Sequence, residues 1–211
     1  MTTENKIPTA AELWATREPT PFHATSLFFD IRGSTHLLTH LGEQPLARIL
    51  QVFFGEAIPA TEEEGGTVLH FSGDGALVLF TGENAVDAAV RAALRLIDIA
   101  RHRVTQKIPQ TAEGVFGLLG HDGIDITVGI DTSLIYGVAV GRAPEPLVSW
   151  TGRGVHTAAK LSRLAPPDTI AITQESVSAR RTVAPPAGSS RMRFEVGGEE
   201  RVVYVTSAAK H

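Results

Sequence analysis

The chain has 211 residues and a mass of 22.5 kDa, with 43% hydrophobic and 20% charged residues. That is enough apolar surface to bury one full core, and it excludes disorder along the whole length. A formal charge of −4, from 19 basic and 23 acidic side chains, gives no broad positive field for a nucleic acid backbone or an anionic membrane, so any anionic ligand has to be held by a local site. The absence of cysteine excludes disulfides, a thiolate nucleophile and Cys-based zinc sites, and it fits a reducing cytoplasm.

Residues 1–22 read as a polar arm with Pro8, Pro19 and Pro21, on which Ala10, Leu13 and Trp14 suit one helical turn. No basic-then-apolar leader opens the chain, and no run approaches the ~18 apolar residues of a membrane span. From Thr25 the short apolar run through Asp30, halted by Gly33, predicts a buried strand feeding a loop. Between Gln44 and Glu64, Leu46, Ile49, Leu50, Phe53, Phe54, Ala57 and Ile58 recur at three- and four-residue spacings, the stripe of an amphipathic helix stopped by Gly65-Gly66. The β-rich runs 67–71 and 76–80, joined through Gly73-Asp74-Gly75, predict a hairpin with Asp74 at its tip. Asn84 caps an expected helix to about Arg103, and residues 104–122 read as a loop or insertion.

A second hairpin is expected from the runs 124–130 and 134–140 around Asp131-Thr132-Ser133. A loop with Pro144 and Pro146 then leads to a helix over 155–164, ended by Pro166-Pro167. Residues 169–173 predict a strand and 173–177 a short helix, and a closing hairpin turns across Gly197-Gly198. The order β-α-β-β-α-β implies an α+β fold: a ferredoxin-like βαββαβ core with helices on one face and a C-terminal αβ/hairpin extension. Residues 23–211 are expected to form a single domain behind the arm.

Asp30 and Asp74 each close a strong strand where no strand needs a carboxylate, and neighbouring strands would bring them to one sheet edge. Two carboxylates there suit hard divalent ions such as Mg²⁺ or Mn²⁺, which keep open positions for substrate phosphates. Gly33, Ser34 and Thr35 precede a helix, so backbone N–H groups and a positive helix end are available to a phosphate. An isolated strand-end aspartate is ordinarily a turn former or cap, and only the pair argues for metal.

These residues resemble the class III nucleotidyl cyclases. FFDIRGST (28–35) and HFSGDGALVLF (70–80) are similar to that family's two metal motifs, and VGIDTSLIYGVAVG (128–141) to its later hairpin. SWTGRGVHTAAKLSRL (149–164) is similar to the strand-loop-helix bearing base and transition-state residues, so the resemblance covers residues 25–173. It implies the class III cyclase fold and a head-to-tail homodimer with composite active sites. Asp30, Ile31 and Asp74 of one subunit would bind two divalent cations, with Ile31, Arg32, Gly33, Ser34 and Thr35 around the nucleotide. The partner subunit would close the site with residues near Ser149, His156 and Lys160. No nucleic acid partner and no membrane insertion are expected, and with no sensor domain in the sequence a ligand, a partner or concentration would regulate the enzyme.

Several matched positions depart from the family pattern. Its purine-reading lysine corresponds to His70 and that lysine's acidic or threonine partner to Ser149, neither of which imposes the adenine donor–acceptor pattern. Trp150 stands where a smaller aliphatic residue is usual, and Ser34 replaces an aromatic residue, so the base pocket looks rebuilt and smaller. The branch of bacterial anti-phage pyrimidine cyclases, which make cyclic UMP or cyclic CMP, suits that pocket. The transition-state asparagine corresponds to His156 and its arginine to Lys160, which share one helix face at i,i+4. Lysine there keeps the charge and loses the bidentate fork.

Simpler readings stand beside these. His70 could be a solvated strand residue, Ser149 a loop serine, Trp150 a core anchor, and His156 with Lys160 an exposed helix face. Arg32 and Arg142, beside glycine-containing turns, are either triphosphate-tail contacts or solvated arginines. His36 and His40 have a zinc-like i,i+4 spacing and no evident third ligand, which favours a helix surface. An adenylate cyclase with a non-standard base pocket and a catalytically silent nucleotide-binding module remain the competing functions.

Overall fold

Two long strands organise the molecule. The computed structural model describes residues 6–107, 123–142, 144–180 and 184–207. Strand β1 (Thr20–Ile31) is rich in β-branched and aromatic residues. It pairs antiparallel with β4 (Ile126–Val140) along its whole length, from Thr20 opposite Gly137 to Ile31 opposite Ile126. On its other edge lies β3 (Gly75–Phe80), with Asp30 opposite Gly75, and β2 (Thr67–Ser72) folds back on β3 through the two-residue turn Gly73-Asp74.

Helices α2 (Ser34–Leu41) and α3 (Glu43–Glu63) connect β1 to β2, and α4 (Ala85–Asp98) follows β3. The resulting spatial order β2-β3-β1-β4 is that of the expected βαββαβ core. Beyond it, β5 (Leu147–Thr151) folds back on β4, and α6 (Arg153–Leu164) returns the chain so that β6 (Thr169–Thr173) lies parallel to β4. A short α7 (Gln174–Ser178), capped by the Thr173 side chain, and the hairpin of β7 (Ser190–Val196) and β8 (Glu199–Ser207) complete an eight-stranded sheet, with β8 against β6.

Four expectations need correction. The first strand begins at Thr20 instead of Thr25, and the single turn before it is the helix α1 (Ala10–Thr16), closed by a reciprocal Thr9–Glu12 capping box and anchored by buried Leu13. The hairpin expected around Asp131 does not form, because residues 126–140 are one strand held by the full length of β1. Turn-forming residues at 131–133 yield there to twelve paired positions. The segment from Val104 is not loop at its start: α4 runs through a π-helical turn (Ile99–Arg103) into α5 (Val104–Lys107), with Val104 buried. Residues 108–122 lie outside the described residues.

The fourth correction concerns the faces of the sheet. Leu27, Phe29 and Ile31 pack with α3 and α4 in the larger core, whereas Phe22, Ala24 and Phe28 on the opposite face pack with Ile135 and Ala158 beneath α6. Both faces of β1 are apolar, so both require cover, and helices lie on both sides. Gly129 makes the second layer possible, since a Cβ there would collide with the Ala158 carbonyl of α6.

Candidate functional site

Asp30 closes β1 and Asp74 occupies the turn beside it, because Asp30 stands in register with Gly75. A Cβ on Gly75 would fall 2.9 Å from Asp30 Oδ1 and 2.5 Å from the Phe29 carbonyl, so only glycine leaves room for the carboxyl at this point. The two side chains converge. Burial, then the like charge and closeness of the Asp74 carboxyl, push the Asp30 carboxyl up to about 6, and Arg163 and Arg32 pull it the other way.

A half-buried pair of carboxylates is an unfavourable arrangement unless something positive lies between them. Among the described residues no group of three or more His, Cys, Asp or Glu could hold a metal ion, so these residues offer no closed protein cage. Two carboxylate oxygens with other positions left to water and phosphate are what Mg²⁺ favours. The donor set therefore fits a divalent cation bound together with a phosphorylated substrate.

Around the pair, Ile31 turns its side chain into the α3/α4 core, so it can meet a ligand only through its backbone. Gly33 adopts a left-handed conformation (φ 68°) at the start of α2, and no side chain caps that helix start; Ser34 is half-buried and Thr35 exposed. Arg32 is partly committed: its backbone N–H donates to the Asp125 carbonyl (2.8 Å) and its Nη2 to the Ala165 carbonyl just past α6 (2.6 Å).

Helix α6 runs along the back of β4. Gly154 lies over Ser133 and Ile135, Ala158 over Gly129, and Thr127 Oγ1 donates to the Ser162 carbonyl. The helix thus descends from the middle of β4 toward the carboxylate end. His156 and Lys160 are both exposed on it; Thr151 Oγ1 lies 3.3 Å from His156 Nε2, and Lys160 has no ion-pair partner among the described residues. One turn further, Arg163 comes close enough to act on Asp30 within the same chain. Sequence reasoning missed this arginine; its three-residue spacing from Lys160 was visible, but the packing that aims the end of α6 at Asp30 was not.

Trp150, Ser149 and Arg142 are not brought to Asp30 within one chain. Trp150 pairs with Gly137 and Ser149 with Val138, whereas Asp30 pairs with Thr127; ten residues along one strand is roughly 30 Å. Trp150 packs edge-on to Phe22 at 6.2 Å between ring centroids, above Gly137, and Ser149 is exposed. Arg142 lies beyond the end of β4, farther still. His70 is exposed on the edge strand β2, opposite Leu77. His36 and His40 stack on α2 with ring centroids 4.0 Å apart. The hairpin end of β4 and β5 also leaves Leu134, Tyr136, Val140 and Leu147 exposed, Leu147 at 72%.

No protein-family model matches the chain. A curated relative from Burkholderia cepacia, named uridylate cyclase, is 31% identical over 142 residues, 67% of this chain and 59% of the relative. The chain thus spans less than two thirds of that relative's length. Among solved structures, the guanylyl cyclase Cya2 superposes with a TM-score of 0.73 at 20% identity, over 91% of this chain and 95% of that one. The adenylyl cyclase CyaB from P. aeruginosa superposes with a TM-score of 0.69 at 21% identity, over 92% of this chain and 98% of that one. At such identities the structures speak for the fold alone.

Proposed function

From the premise that this chain belongs to the class III nucleotidyl cyclases, we propose that it converts a pyrimidine nucleoside triphosphate, UTP before CTP, into its 3′,5′-cyclic monophosphate and pyrophosphate. The observation that carries the proposal is the convergence of Asp30 and Asp74 at the end of β1, in a fold shared with adenylyl and guanylyl cyclases. In the reaction the ribose 3′-hydroxyl loses its proton and its oxygen bonds to the α-phosphorus. The bond from that phosphorus to the bridging oxygen breaks, and pyrophosphate leaves.

Asp30 and Asp74 would hold two divalent cations, with the Ile31 backbone beside them. When bound, such ions neutralise phosphate charge and lower the pKa of the attacking hydroxyl. The chain's own groups do the rest. Backbone N–H groups from Gly33 to Thr35 receive phosphate oxygens at the start of α2, Lys160 supplies a mobile positive charge for the transition state, and His156 donates to ribose or phosphate.

A second copy of the chain completes the site in this reading. Ser149 lies roughly 36 Å along the sheet from Asp30, and the exposed Leu134, Tyr136, Val140 and Leu147 form an apolar surface suited to a partner. The pyrimidine assignment draws on His70 and Ser149, which lack the adenine-specific pattern, and on the similarity to the uridylate cyclase of Burkholderia cepacia. A second-messenger role in defence against phage belongs to the same proposal.

Purified protein incubated with each of the four nucleoside triphosphates, in Mg²⁺ and in Mn²⁺, tests it. Cyclic UMP or cyclic CMP as the main product supports the proposal, and product from ATP or GTP alone overturns the pyrimidine assignment. Nucleotide binding without pyrophosphate release from any of the four overturns the enzyme reading.

A further inference from the structure

Beneath the first turn of α6 lies a carboxylate that the proposed chemistry leaves unused. Asp131, in the middle of β4, is 1% exposed. Its Oδ1 accepts a hydrogen bond from Thr173 Oγ1 (2.8 Å) on β6, and its Oδ2 accepts one from Ser133 Oγ (2.9 Å), while Thr173 and Ser176 hydroxyls lie 2.9 Å apart. Gly154, in the first turn of α6, seats directly on this group: a Cβ there would stand 2.6 Å from Ser133 Oγ and 3.4 Å from Asp131 Oδ2.

The N-cap of α6 is Gly152, which offers no side-chain acceptor to the N–H groups of the first turn. A negative charge below that turn therefore meets the positive end of the helix where no cap serves it. Burial raises the Asp131 carboxyl and Glu175 adds to the rise; the hydrogen bonds from Thr173 and Ser133, and the charge of Arg201, oppose it. At its other end the same helix is pinned by Arg32 on the Ala165 carbonyl. His156 and Lys160 stand between the two pins.

We propose that Asp131 is a positioning residue: it anchors the first turn of α6 and so sets where His156 and Lys160 stand. The catalytic half of this proposal rests on the cyclase reading, and the anchoring half rests on geometry alone. A carboxylate desolvated at this depth is a costly way to hold a sheet together, which sets its role apart from core stability. Asparagine is the informative replacement, since the Thr173 and Ser133 hydroxyls can donate to its oxygen or accept from its amide.

The test is Asp131→Asn in the full chain, read by amide hydrogen exchange, thermal unfolding and steady-state kinetics. The unfolding temperature is expected to stay near that of the wild type while residues 153–160 exchange selectively faster. Turnover is expected to fall about tenfold to a hundredfold with KM little changed, the size of loss that a displaced reacting group produces. In a Lys160→Ala background the same substitution should cost clearly less than in the wild type, the remainder being the part that acts through His156. Wild-type exchange and turnover, or an undiminished loss in the Lys160→Ala background, overturns the proposal.

If Asp131→Asn does not fold, Ser133→Ala decides: faster exchange confined to α6 supports the anchor, and wild-type exchange overturns it. If the wild-type protein releases no pyrophosphate from any nucleotide, the cyclase reading and the catalytic half fall together, and the exchange data still decide the anchoring half.

Discussion

The two faces of the central sheet are built on different principles. On the α3/α4 face, Phe29, Phe53, Val78, Phe80, Leu96 and Ile97 close into one large apolar cluster, and at its edge Glu64 pairs with Arg91 and Arg95 across α3 and α4. On the α6 face the apolar clusters are smaller. There Asp131, Ser133, Thr173 and Ser26 are buried, Ser26 with a hydroxyl unpartnered among the described residues, and the face ends in the Asp30–Asp74 pair.

The contrast shows a division of labour within one sheet. Apolar burial on the first face supplies stability in proportion to area. The second face spends some of it on desolvated polar groups that hold a helix, and two carboxylates, in fixed places. A change on the first face should therefore act on stability and leave chemistry in the surviving fold, and a change on the second should do the reverse.

The strongest way to break this comparison is to remove both carboxylates. Asp30→Asn with Asp74→Asn is expected to lower turnover about 10⁴-fold or more, about 5 kcal/mol, without loss of stability. The sign follows from the raised carboxyl of Asp30: its charged form is disfavoured in the folded state, so neutralising it relieves repulsion. Cyclase assays alongside thermal unfolding check this, and a variant that keeps its activity removes the pair from the mechanism.

Next is Phe53→Ala on the opposite face. Phe53 is fully buried against Phe29, with ring centroids 5.7 Å apart, and the cavity should cost about 4 kcal/mol of stability. Denaturant unfolding measures the loss. Turnover per folded molecule should stay that of the wild type, and a specific fall in kcat would show that the two faces are not separable.

The smallest expected effect sharpens the comparison within the α6 face. Lys160→Ala should reduce turnover about a hundredfold, roughly 2.7 kcal/mol, while unfolding stays unchanged because the side chain is exposed. Unaltered kcat would assign the transition-state charge elsewhere, with Arg163 as the next residue to replace.

Much of this was legible in the chain itself. The apolar spacing of α3, the hairpin with Asp74 at its tip, the helix carrying His156 and Lys160, and the βαββαβ order all follow from local patterns of three- to four- and two-residue period. Asp30 and Asp74 stood out as a pair, because a single strand-end aspartate can be a turn former or cap but two that neighbouring strands bring together suit a cation. Where local signals misled, a longer-range partner had overruled them, as when β1 drew turn-forming residues 131–133 into one continuous strand.

The amino-acid sequence by itself determined most of the helices and strands, and which residues are chemically able to hold cations and neutralise phosphate, because those properties reside in side chains and near neighbours. Only the tertiary structure decided that helices cover both faces, that the charge of Arg163 acts on Asp30, that Ser149 lies far from it, and that Asp131 sits under the first turn of α6. Each of these depends on strand register and on the close approach of backbones at Gly75, Gly129 and Gly154. Such relations join residues distant along the chain, and no local pattern encodes them.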